Sequence, residues 1–568
     1  MTSQRLGRVA VWVCFTGFFA FNLTPGINID TASAHDDVHG RPHFKGSPAN
    51  PTAVMKRLQA DAHSAQSLAS ASDSPCTGGM ADIYPCHDID LLAFLPLVNL
   101  GASKANDIWG WTDPLSNREF AIIGLYDGTA FVEITDPYNP IVLGKLASHG
   151  SGSTWRDIKT YANYAFIVSE ASGHGMQVFD LRKLLDAAPD STFTEDAQYN
   201  AFGNAHNIVI NEDTGYAYAV GTGTCFGGLH MVNINTPTNP TYAGCYGDDG
   251  YTHDAQCVVY DGPDSNYKGK GQEICFNSNE DTLTIVNVTG KPSDPEPGVP
   301  VQLSRTTYPG GGYTHQGWLT PDHKYFLLDD ELDELDFRHN TRTRVFDVSS
   351  LVQPFLVGSF DNTTAAIDHN QYVKGNHVFQ ANYRAGLRIL EMTDPSTAGL
   401  REVAYFDIYP SNDSAQFNGA WSTYPYFPSG NVVVSGIEQG LFVLRPNLAG
   451  GPPPSGNPPE APSSIAAADQ QNGTAMITFT DNGNNESGFE LQREKQSKRN
   501  GWISTTTISL SSDSVSYTDA SGAGTFRYRI RAANQFGFSS WNGWVEVTVT
   551  ATGGGGNTKC NPRKGCSP

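Results

Sequence analysis

The stretch 251–256, which reads YTHDAQ, recurs along the chain in altered form. Residues 204–207 read NAHN, residues 313–318 read YTHQGW and residues 367–370 read IDHN, so four copies place a histidine at the same position. Three further copies carry a different polar residue there. Successive copies are about 50 residues apart, which is the length of a four-stranded propeller blade. Seven copies predict seven blades. The repeated positions are Asn106, Arg156, His206, His253, His315, His369 and Asn418.

A short apolar strand ending in a carboxylate or amide follows in most copies. Residues 176–181 read MQVFDL, 229–234 read LHMVNI and 283–288 read LTIVNV. Such a run is typical of a strand buried between neighbouring sheets, with the polar residue capping the next turn. An early strand at 90–97 (DLLAFLPL) precedes the first copy, whereas the last copy, ending at 440–444, lacks an outer strand. We therefore expect the early strand to complete the last sheet and close the ring.

These motifs resemble the choice-of-anchor B family of bacterial surface proteins, which carry LVIVD repeats. The resemblance covers residues 85–447 and is most specific at 155–159 (WRDIK), 169–180 (SEASGHGMQVFD), 313–318 (YTHQGW) and 435–441 (SGIEQGL). It implies a secreted, cell-surface propeller whose C-terminal attachment varies between members. It implies no established reaction and supplies no catalytic residues.

A second module is expected after a Gly- and Pro-rich linker at 448–459. Segments 475–481 (AMITFTD) and 526–534 (FRYRIRAAN) alternate apolar and polar residues, which predicts a β-sandwich over 460–550. This module resembles a fibronectin type III domain, a type that serves as a spacer or as an adhesive arm. The predicted fold class is therefore all-β, with a seven-bladed β-propeller followed by a fibronectin type III-like β-sandwich.

The two ends of the chain differ from these modules in composition. Residues 1–34 combine a charged start, an apolar run and a small-residue cleavage site, which predicts a signal peptide and a secreted or cell-surface protein. Residues 35–84 are expected to be an extension, mostly loop with one short helix, and 551–568 a Gly-rich tail that contains cysteines. No later apolar run reaches about 18 residues, so no membrane span is expected in the mature protein.

Eight cysteines remain after the signal peptide, and they fall into pairs that are close in sequence. Such pairs fit disulfides formed in an oxidising compartment. A zinc site made of cysteines is the alternative, but the sequence contains no C-x-x-C motif to support it. The expected disulfides are Cys76–Cys86, Cys225–Cys245, Cys257–Cys275 and Cys560–Cys566.

Charge and motifs exclude several classes of function. The formal net charge is −22 and no basic stripe is present, so nucleic acid is not an expected partner. The sequence has no nucleophile elbow, no phosphate-binding P-loop and no H-E-x-x-H zinc motif. The partner is expected to be an extracellular ligand, a glycan or a protein.

The histidines are the candidate functional residues. In a propeller the first strand of each blade lines the channel, so residues at its start should meet at one rim. Loops between second and third strands open on the same face and add acidic residues. The candidate set is therefore the four histidines His206, His253, His315 and His369, the ring residues Asn106, Arg156 and Asn418, and the weaker candidates Glu170, Glu280, Asp330 and Glu438, with Asp329 and Glu331 in the same loops.

Imidazole and carboxylate groups together suit a divalent transition metal, which could activate water or polarise a substrate. The alternative is a hydrogen-bonded ring without metal, because buried polar groups need partners. In the metal hypothesis, Arg156 would favour an anionic ligand. The acidic run 329–336 (DDELDELD) could separately hold Ca²⁺, or it could be a solvated loop.

Two functions are left open by the sequence. The favoured one is a non-catalytic secreted or surface protein that binds a ligand or partner on the channel face. The alternative is a metal-dependent extracellular hydrolase, similar to a lactonase, that uses the histidine ring. No residue is assigned a catalytic role.

Overall fold

The structure is a computed structural model that describes residues 70–291, 298–448 and 459–550, apart from 484–485, 487, 498–500, 512–513 and 535–536. The described chain is all-β and consists of small sheets whose neighbouring strands are almost all antiparallel. Its helical segments are short, and they are Leu97–Leu100, Leu181–Asp186, Cys225–Gly227, Asp333–Phe337 and Pro395–Thr397.

Seven sheets follow one another along the chain. The first contains Ala105–Thr112, Glu119–Leu125, Gly128–Glu133, Ile141–Ala147 and, in parallel, Ser191–Phe193. The second contains Arg156–Tyr161, Tyr164–Ser169, Met176–Asp180 and Ala197–Tyr199. The third contains Asn207–Asn211, Tyr216–Val220, Leu229–Asn233 and Thr241–Tyr246. The fourth contains Asp254–Val259, Glu273–Ser278, Leu283–Asn287 and Val301–Thr306.

The last three sheets also take strands from the start of the described chain. The fifth contains Thr314–Leu319, Tyr325–Asp330, Arg342–Asp347 and Phe355–Asp361. The sixth contains Asn370–Lys374, His377–Ala381, Leu387–Asp394 and Gly399–Phe406, extended by Tyr84–His87 and Met80–Ala81. The seventh contains Ala420–Tyr424, Val432–Gly436 and Gly440–Pro446, extended by Ile89–Pro96 and Ala71–Ser74.

The first strand of each sheet, meaning the one that begins nearest its repeated position, contacts the first strand of the next sheet. The first strand of the seventh sheet in turn contacts Ala105–Thr112 of the first sheet, so these contacts follow a closed cycle. Apolar side chains fill the space between each pair of neighbouring sheets. Phe131 and Phe179, for example, stack between the first and second sheets with ring centroids 4.6 Å apart. Each sheet is therefore buried against two neighbours, which explains its near-continuous apolar strands.

Two further sheets follow in residues 463–549. One contains Ser463–Asp469, Ala475–Thr480 and Ser516–Asp519. The other contains Gly488–Ser497, Gly501–Ser511, Gly524–Asn534, Gly537–Phe538 and Val545–Val549. Their alternating apolar residues meet in one core that includes Phe479, Leu491, Tyr528 and Ile530. Tyr528 is buried there, and its hydroxyl donates to Asp519 at 2.5 Å.

Several sequence expectations can be compared directly with these strands. The early strand pairs with Gly440–Pro446, so its predicted place in the last sheet is confirmed. The disulfides Cys76–Cys86, Cys225–Cys245 and Cys257–Cys275 are also confirmed. Cys560–Cys566, the signal peptide and the predicted short helix lie outside the described residues, as does nearly all of the linker. No helix among the described residues is long and apolar enough to cross a bilayer.

One expectation about the N-terminal extension needs correction. Its described part, 70–84, was expected to be loop, but it forms edge strands on two sheets. Ala71–Ser74 pairs with the early strand, and Tyr84 is buried against Phe94, Phe406 and Phe442. The sequence signal was weak because these strands are only two to four residues long.

We expect Phe94→Ala to destabilise the sheets strongly, because Phe94 is 1% exposed and stacks on Phe442 at 4.5 Å. Removal of a buried phenyl ring should lower the free energy of unfolding by about 3–5 kcal/mol. Urea denaturation measures this change. Val98→Ala is the control, since Val98 is 78% exposed and its truncation should cost less than about 0.5 kcal/mol. Equal effects of the two substitutions would contradict the assigned place of the early strand.

Candidate functional site

The structure places the four repeated histidines in one row. Their ring centroids are 4.3 Å apart for His206 and His253, 4.1 Å for His253 and His315, and 4.5 Å for His315 and His369. Each stands at the start of a first strand in one of four successive sheets. All four are at most 6% exposed, so the row is buried.

Hydrogen bonds orient three of these imidazoles in the same way. Nδ1 of His253 lies 3.0 Å from the carbonyl oxygen of His315, and Nδ1 of His315 lies 2.8 Å from that of His369. Nδ1 of His369 lies 2.6 Å from the carbonyl oxygen of Trp421. A carbonyl only accepts, so each Nδ1 must carry the proton, and in the neutral ring Nε2 then carries the lone pair. This is the arrangement by which proteins orient metal-binding histidines.

Glu331 faces the Nε2 atoms of this row. Its Oε2 lies 3.9 Å from Nε2 of His315, and its Oε1 lies 3.8 Å from Nε2 of His369. One ligand atom from each of His253, His315 and Glu331 lies within 4.8 Å of the others. Tyr383 donates its hydroxyl proton to Glu331 Oε1 at 2.7 Å and holds the carboxylate in place. The geometry can therefore supply several nitrogen ligands and one oxygen ligand to a cation.

Burial sets the protonation of these groups. Desolvation lowers the pKa of His369 to about 3, so its imidazole is neutral at ordinary pH. Desolvation raises the pKa of Glu331 to about 7, although the Tyr383 hydrogen bond acts in the opposite direction. A neutral imidazole is the form that binds a metal ion.

His206 differs from the other three histidines. Its Nδ1 lies 2.5 Å from Oε1 of Glu170, which is itself buried. Burial alone would lower the pKa of His206, but the Glu170 carboxylate outweighs this effect and the pKa is raised. Glu170 therefore pairs with His206 at one end of the row, and this pairing favours the imidazolium form over a metal ligand.

The three other acidic candidates have separate surroundings. Asp330 accepts hydrogen bonds from the Tyr308 hydroxyl and from the amides of Gly312 and Tyr313. Asn418 donates to Glu438 at 2.7 Å, and the amide of Gly419 donates to the same carboxylate. The carboxylate of Glu280 lies near Tyr313, whose pKa is raised first by burial and then by that charge. Of the acidic residues in these loops, Glu331 is the one whose carboxylate faces the histidine row, and it directly follows Asp330 in the chain.

The ring residues Asn106 and Arg156 bind neighbouring backbone and side chains. Asn106 donates to the carbonyl of Thr154 at 3.0 Å. The Arg156 guanidinium donates to the carbonyl of Leu125 and lies 2.9 Å from Nε2 of His174. Arg156 is only 1% exposed and its guanidinium joins neighbouring sheets, while its expected preference for an anionic ligand stays a prediction.

The residues that directly follow the repeated positions carry polar side chains, and these form a belt of hydrogen bonds that joins successive first strands. Asp107 accepts from the amide of Ile158 at 3.1 Å, and Asp157 accepts from the amide of Ile208 at 2.6 Å. On later sheets, Asn207 donates to the carbonyl of His253 and Asn370 donates to that of Trp421. The repeated Asp and Asn in the motif were the sequence signal for this belt.

A cavity of about 390 Å³ is lined by residues that come later in the first strands than the belt residues do. Its lining includes Trp109, Trp318, Tyr372, Tyr424 and Tyr426, together with Lys159, Asp254 and Gln256. Lys159 bonds Asp157 at 2.6 Å and lies 4.6 Å from the Trp109 ring centroid. Sequence reasoning missed this cavity. The sequence does contain a sign of it, because five lining residues each come three residues after a repeated position. They are Trp109, Lys159, Gln256, Trp318 and Tyr372.

Comparison with known proteins gives only distant likenesses. No known protein family matches the sequence, and no curated protein matches it. A solved protein from Lactobacillus plantarum is 14% identical with a TM-score of 0.37, over 58% of this chain and 88% of that chain. The FN5 domain of Drosophila Lar is 8% identical with a TM-score of 0.14, over 16% of this chain and 98% of that domain. The fn3 domain of human collagen alpha-1(XX) is 17% identical with a TM-score of 0.16, over 18% of this chain and 98% of that domain.

We expect His174→Gln to weaken the acid sensitivity of the protein. Burial, and then the Arg156 charge, lower the pKa of His174 to about 3 from the ordinary 6.5. Between these values the unfolded chain binds the proton and the folded chain does not, so the free energy of unfolding falls as the pH falls. The loss at pH 5 relative to neutral pH should be about 2 kcal/mol for this group.

Urea denaturation of the wild type and of His174→Gln at both pH values isolates this contribution. The glutamine can still accept from Arg156, so the fold should be retained. His87→Gln is the matched control, because His87 is exposed. If His174→Gln loses as much stability in acid as the wild type, the neutral assignment of His174 is wrong.

Proposed function

We propose that the protein is a secreted β-propeller of seven blades that holds a divalent transition metal between His253, His315, His369 and Glu331. One observation carries this proposal above all: three Nδ1 donors are bound to backbone carbonyls, and Nε2 atoms of the row face Glu331. A ring held by hydrogen bonds alone would need no carboxylate on that side. The metal and the hydrogen-bonded ring are therefore compatible, since each uses a different ring nitrogen.

The closed cycle of contacts between first strands supports the propeller. Apolar clusters between neighbouring sheets support it as well, including the cluster in which Val433 and Leu441 of the seventh sheet meet Ile123 of the first. In this proposal the chain belongs with the choice-of-anchor B proteins that it resembles. The two sheets of residues 463–549 form a fibronectin type III-like arm, and the three disulfides fit an oxidising, extracellular location.

Nitrogen and carboxylate ligands of this kind suit Zn²⁺ and also other late first-row ions. When bound, such an ion would act as a Lewis acid and would cross-link the fourth, fifth and sixth sheets. The protein groups fix the ligands: His315, His369 and Trp421 contribute carbonyls, and Tyr383 positions Glu331. His206 and Glu170 remain outside the ligand set in this proposal because they neutralise each other.

The aromatic cavity supports ligand binding as the biological activity. A volume of about 390 Å³ lies within the range of small-molecule sites. Its aromatic faces can pack against an apolar surface of a ligand, while Lys159, Asp254 and Gln256 can accept or donate hydrogen bonds. A non-catalytic receptor for an extracellular ligand is thus the function that we favour.

A metal-dependent hydrolase is the second candidate, and the exposure of Glu331 favours it. The Glu331 side chain is 15% exposed, whereas the His315 and His369 side chains are 2% and 4% exposed. Solvent can therefore approach the site from the side of the carboxylate. A hydrolase would need water at this position as well as a route for substrate.

We expect purified protein to contain this metal, and we expect His253→Ala and His315→Ala each to remove it. Loss of one imidazole should lower the affinity for Zn²⁺ by at least about 100-fold, because even indirect supports of a ligand are worth about 10–100-fold. Metal content after dialysis, measured by elemental analysis, gives the result. His87→Ala is the matched control, since His87 is exposed and lies outside the row.

An equal metal content in His253→Ala, His315→Ala and His87→Ala would exclude the proposed centre. Hydrolysis of lactone or ester substrates that requires the metal and disappears in His253→Ala would favour the enzyme over the receptor. Circular dichroism of each variant establishes that the fold is retained.

A further inference from the structure

A second group of potential ligands lies after the strand Tyr325–Asp330. Asp333 and Glu334 belong to the helix Asp333–Phe337, and His339 follows it. One ligand atom from each of these three residues lies within 4.8 Å of the others. Asp333 is 0% exposed and Glu334 is 2% exposed, so the expectation of a solvated acidic loop is wrong here. Two carboxylates and an imidazole are instead packed inside the protein.

The charges of this cluster are not balanced by its neighbours. The Arg344 guanidinium lies 2.6 Å from Oδ2 of Asp333 and contributes one positive charge. The amide of Arg342 donates to Oε1 of Glu334 at 3.2 Å. Within the described part of the chain, no hydrogen-bond donor reaches Oδ1 of Asp333 or Oε2 of Glu334. Buried carboxylate oxygens in this condition call for a cation or a proton.

The position of His339 also calls for a cation or a proton beside Asp333. Its Nδ1 lies 2.7 Å from the carbonyl oxygen of Asn340 and must therefore carry the proton of a neutral ring. Its Nε2 then directs a lone pair at Oδ2 of Asp333, which is 3.3 Å away. These two lone pairs repel each other. The Arg344 guanidinium, 2.6 Å from the same Oδ2, offsets part of this repulsion, but no hydrogen-bond donor among the described residues reaches Nε2 of His339.

We propose that Asp333, Glu334 and His339 bind a second divalent metal ion, of the class of Mn²⁺ or Zn²⁺. The donor set decides the class, because Ca²⁺ takes six to eight oxygen ligands whereas imidazole suits transition ions. This proposal differs from the sequence expectation of Ca²⁺ in the run 329–336. The His339 side chain is 16% exposed, so water can complete the coordination.

This site is independent of the histidine row. It shares no ligand with it, although Glu331 lies two residues before Asp333 in the chain. A metal ion here would fix the short helix and the loop that carries Glu331. The cation would also reduce the repulsion among Asp333, Glu334 and the nearby Asp330. Burial raises the pKa of Glu334, and the charges of Asp333 and Asp330 raise it further.

The test uses the full chain with His253→Ala and His315→Ala as background, so that the proposed row cannot contribute metal. Isothermal titration with Zn²⁺, and electron paramagnetic resonance with Mn²⁺, measure what the remaining site binds. We expect one ion per chain in this background and a decrease in affinity of at least about 100-fold when Glu334→Gln or His339→Gln is added. Asp361→Asn is the matched control, since Asp361 pairs with Arg342 outside the cluster.

His339→Gln is the decisive variant because the side chain is partly exposed and the fold should tolerate its replacement. Circular dichroism checks both substitutions. If neither Zn²⁺ nor Mn²⁺ binds in the background, or if Glu334→Gln and His339→Gln bind as tightly as Asp361→Asn, the proposal is overturned. The cluster would then hold a proton on His339 in place of a metal ion. Either result leaves the histidine row to be judged separately by the variants described above.

Discussion

Hydrogen bonds between the first strands of neighbouring sheets are the constraint on which the structure depends. The first strands pack against one another, and polar side chains at their starts bond the next sheet, because buried polar groups need partners. Asp107, Asp157 and Asn207 make these bonds on the first three sheets, and His253, His315 and His369 make them on the next three. The junction of the seventh and first sheets uses Glu119, which accepts from Ser429. A polar residue near the start of the first strand therefore recurs on the first six sheets, whereas the last junction uses the second strand of the first sheet.

The same requirement creates the candidate metal centre. When Nδ1 of a histidine donates to a neighbouring carbonyl, Nε2 is the nitrogen that can bind a metal ion. Three consecutive sheets repeat this arrangement. Neighbouring rings lie only 4.1–4.5 Å apart because the strands that carry them are in contact. The residues that join the sheets are thus the residues that could bind a metal. Where the repeated position holds Asn106 or Arg156, only the joining role remains.

Much of this arrangement could be predicted from the sequence, and the reasons for the failures are local. The repeated motif indicated which histidines are equivalent, and local cysteine spacing indicated three disulfides. Choosing Glu331 over Asp330 required the direction of each side chain where the strand ends. The sequence does not show that Asp330 is held by the Tyr308 hydroxyl and two backbone amides, whereas Glu331 faces the imidazoles. The partners of Arg156 could not be read from the repeat, because Leu125 ends the second strand of the preceding sheet and His174 lies in a loop.

The most direct test of the account is an anomalous-difference map from crystals grown with Zn²⁺ and measured at the zinc absorption edge. The account predicts a peak bonded to Nε2 atoms of His253, His315 and His369 and to Glu331, with each Nδ1 still donating to its carbonyl. A map with no peak among these four side chains, in protein saturated with Zn²⁺, would contradict it.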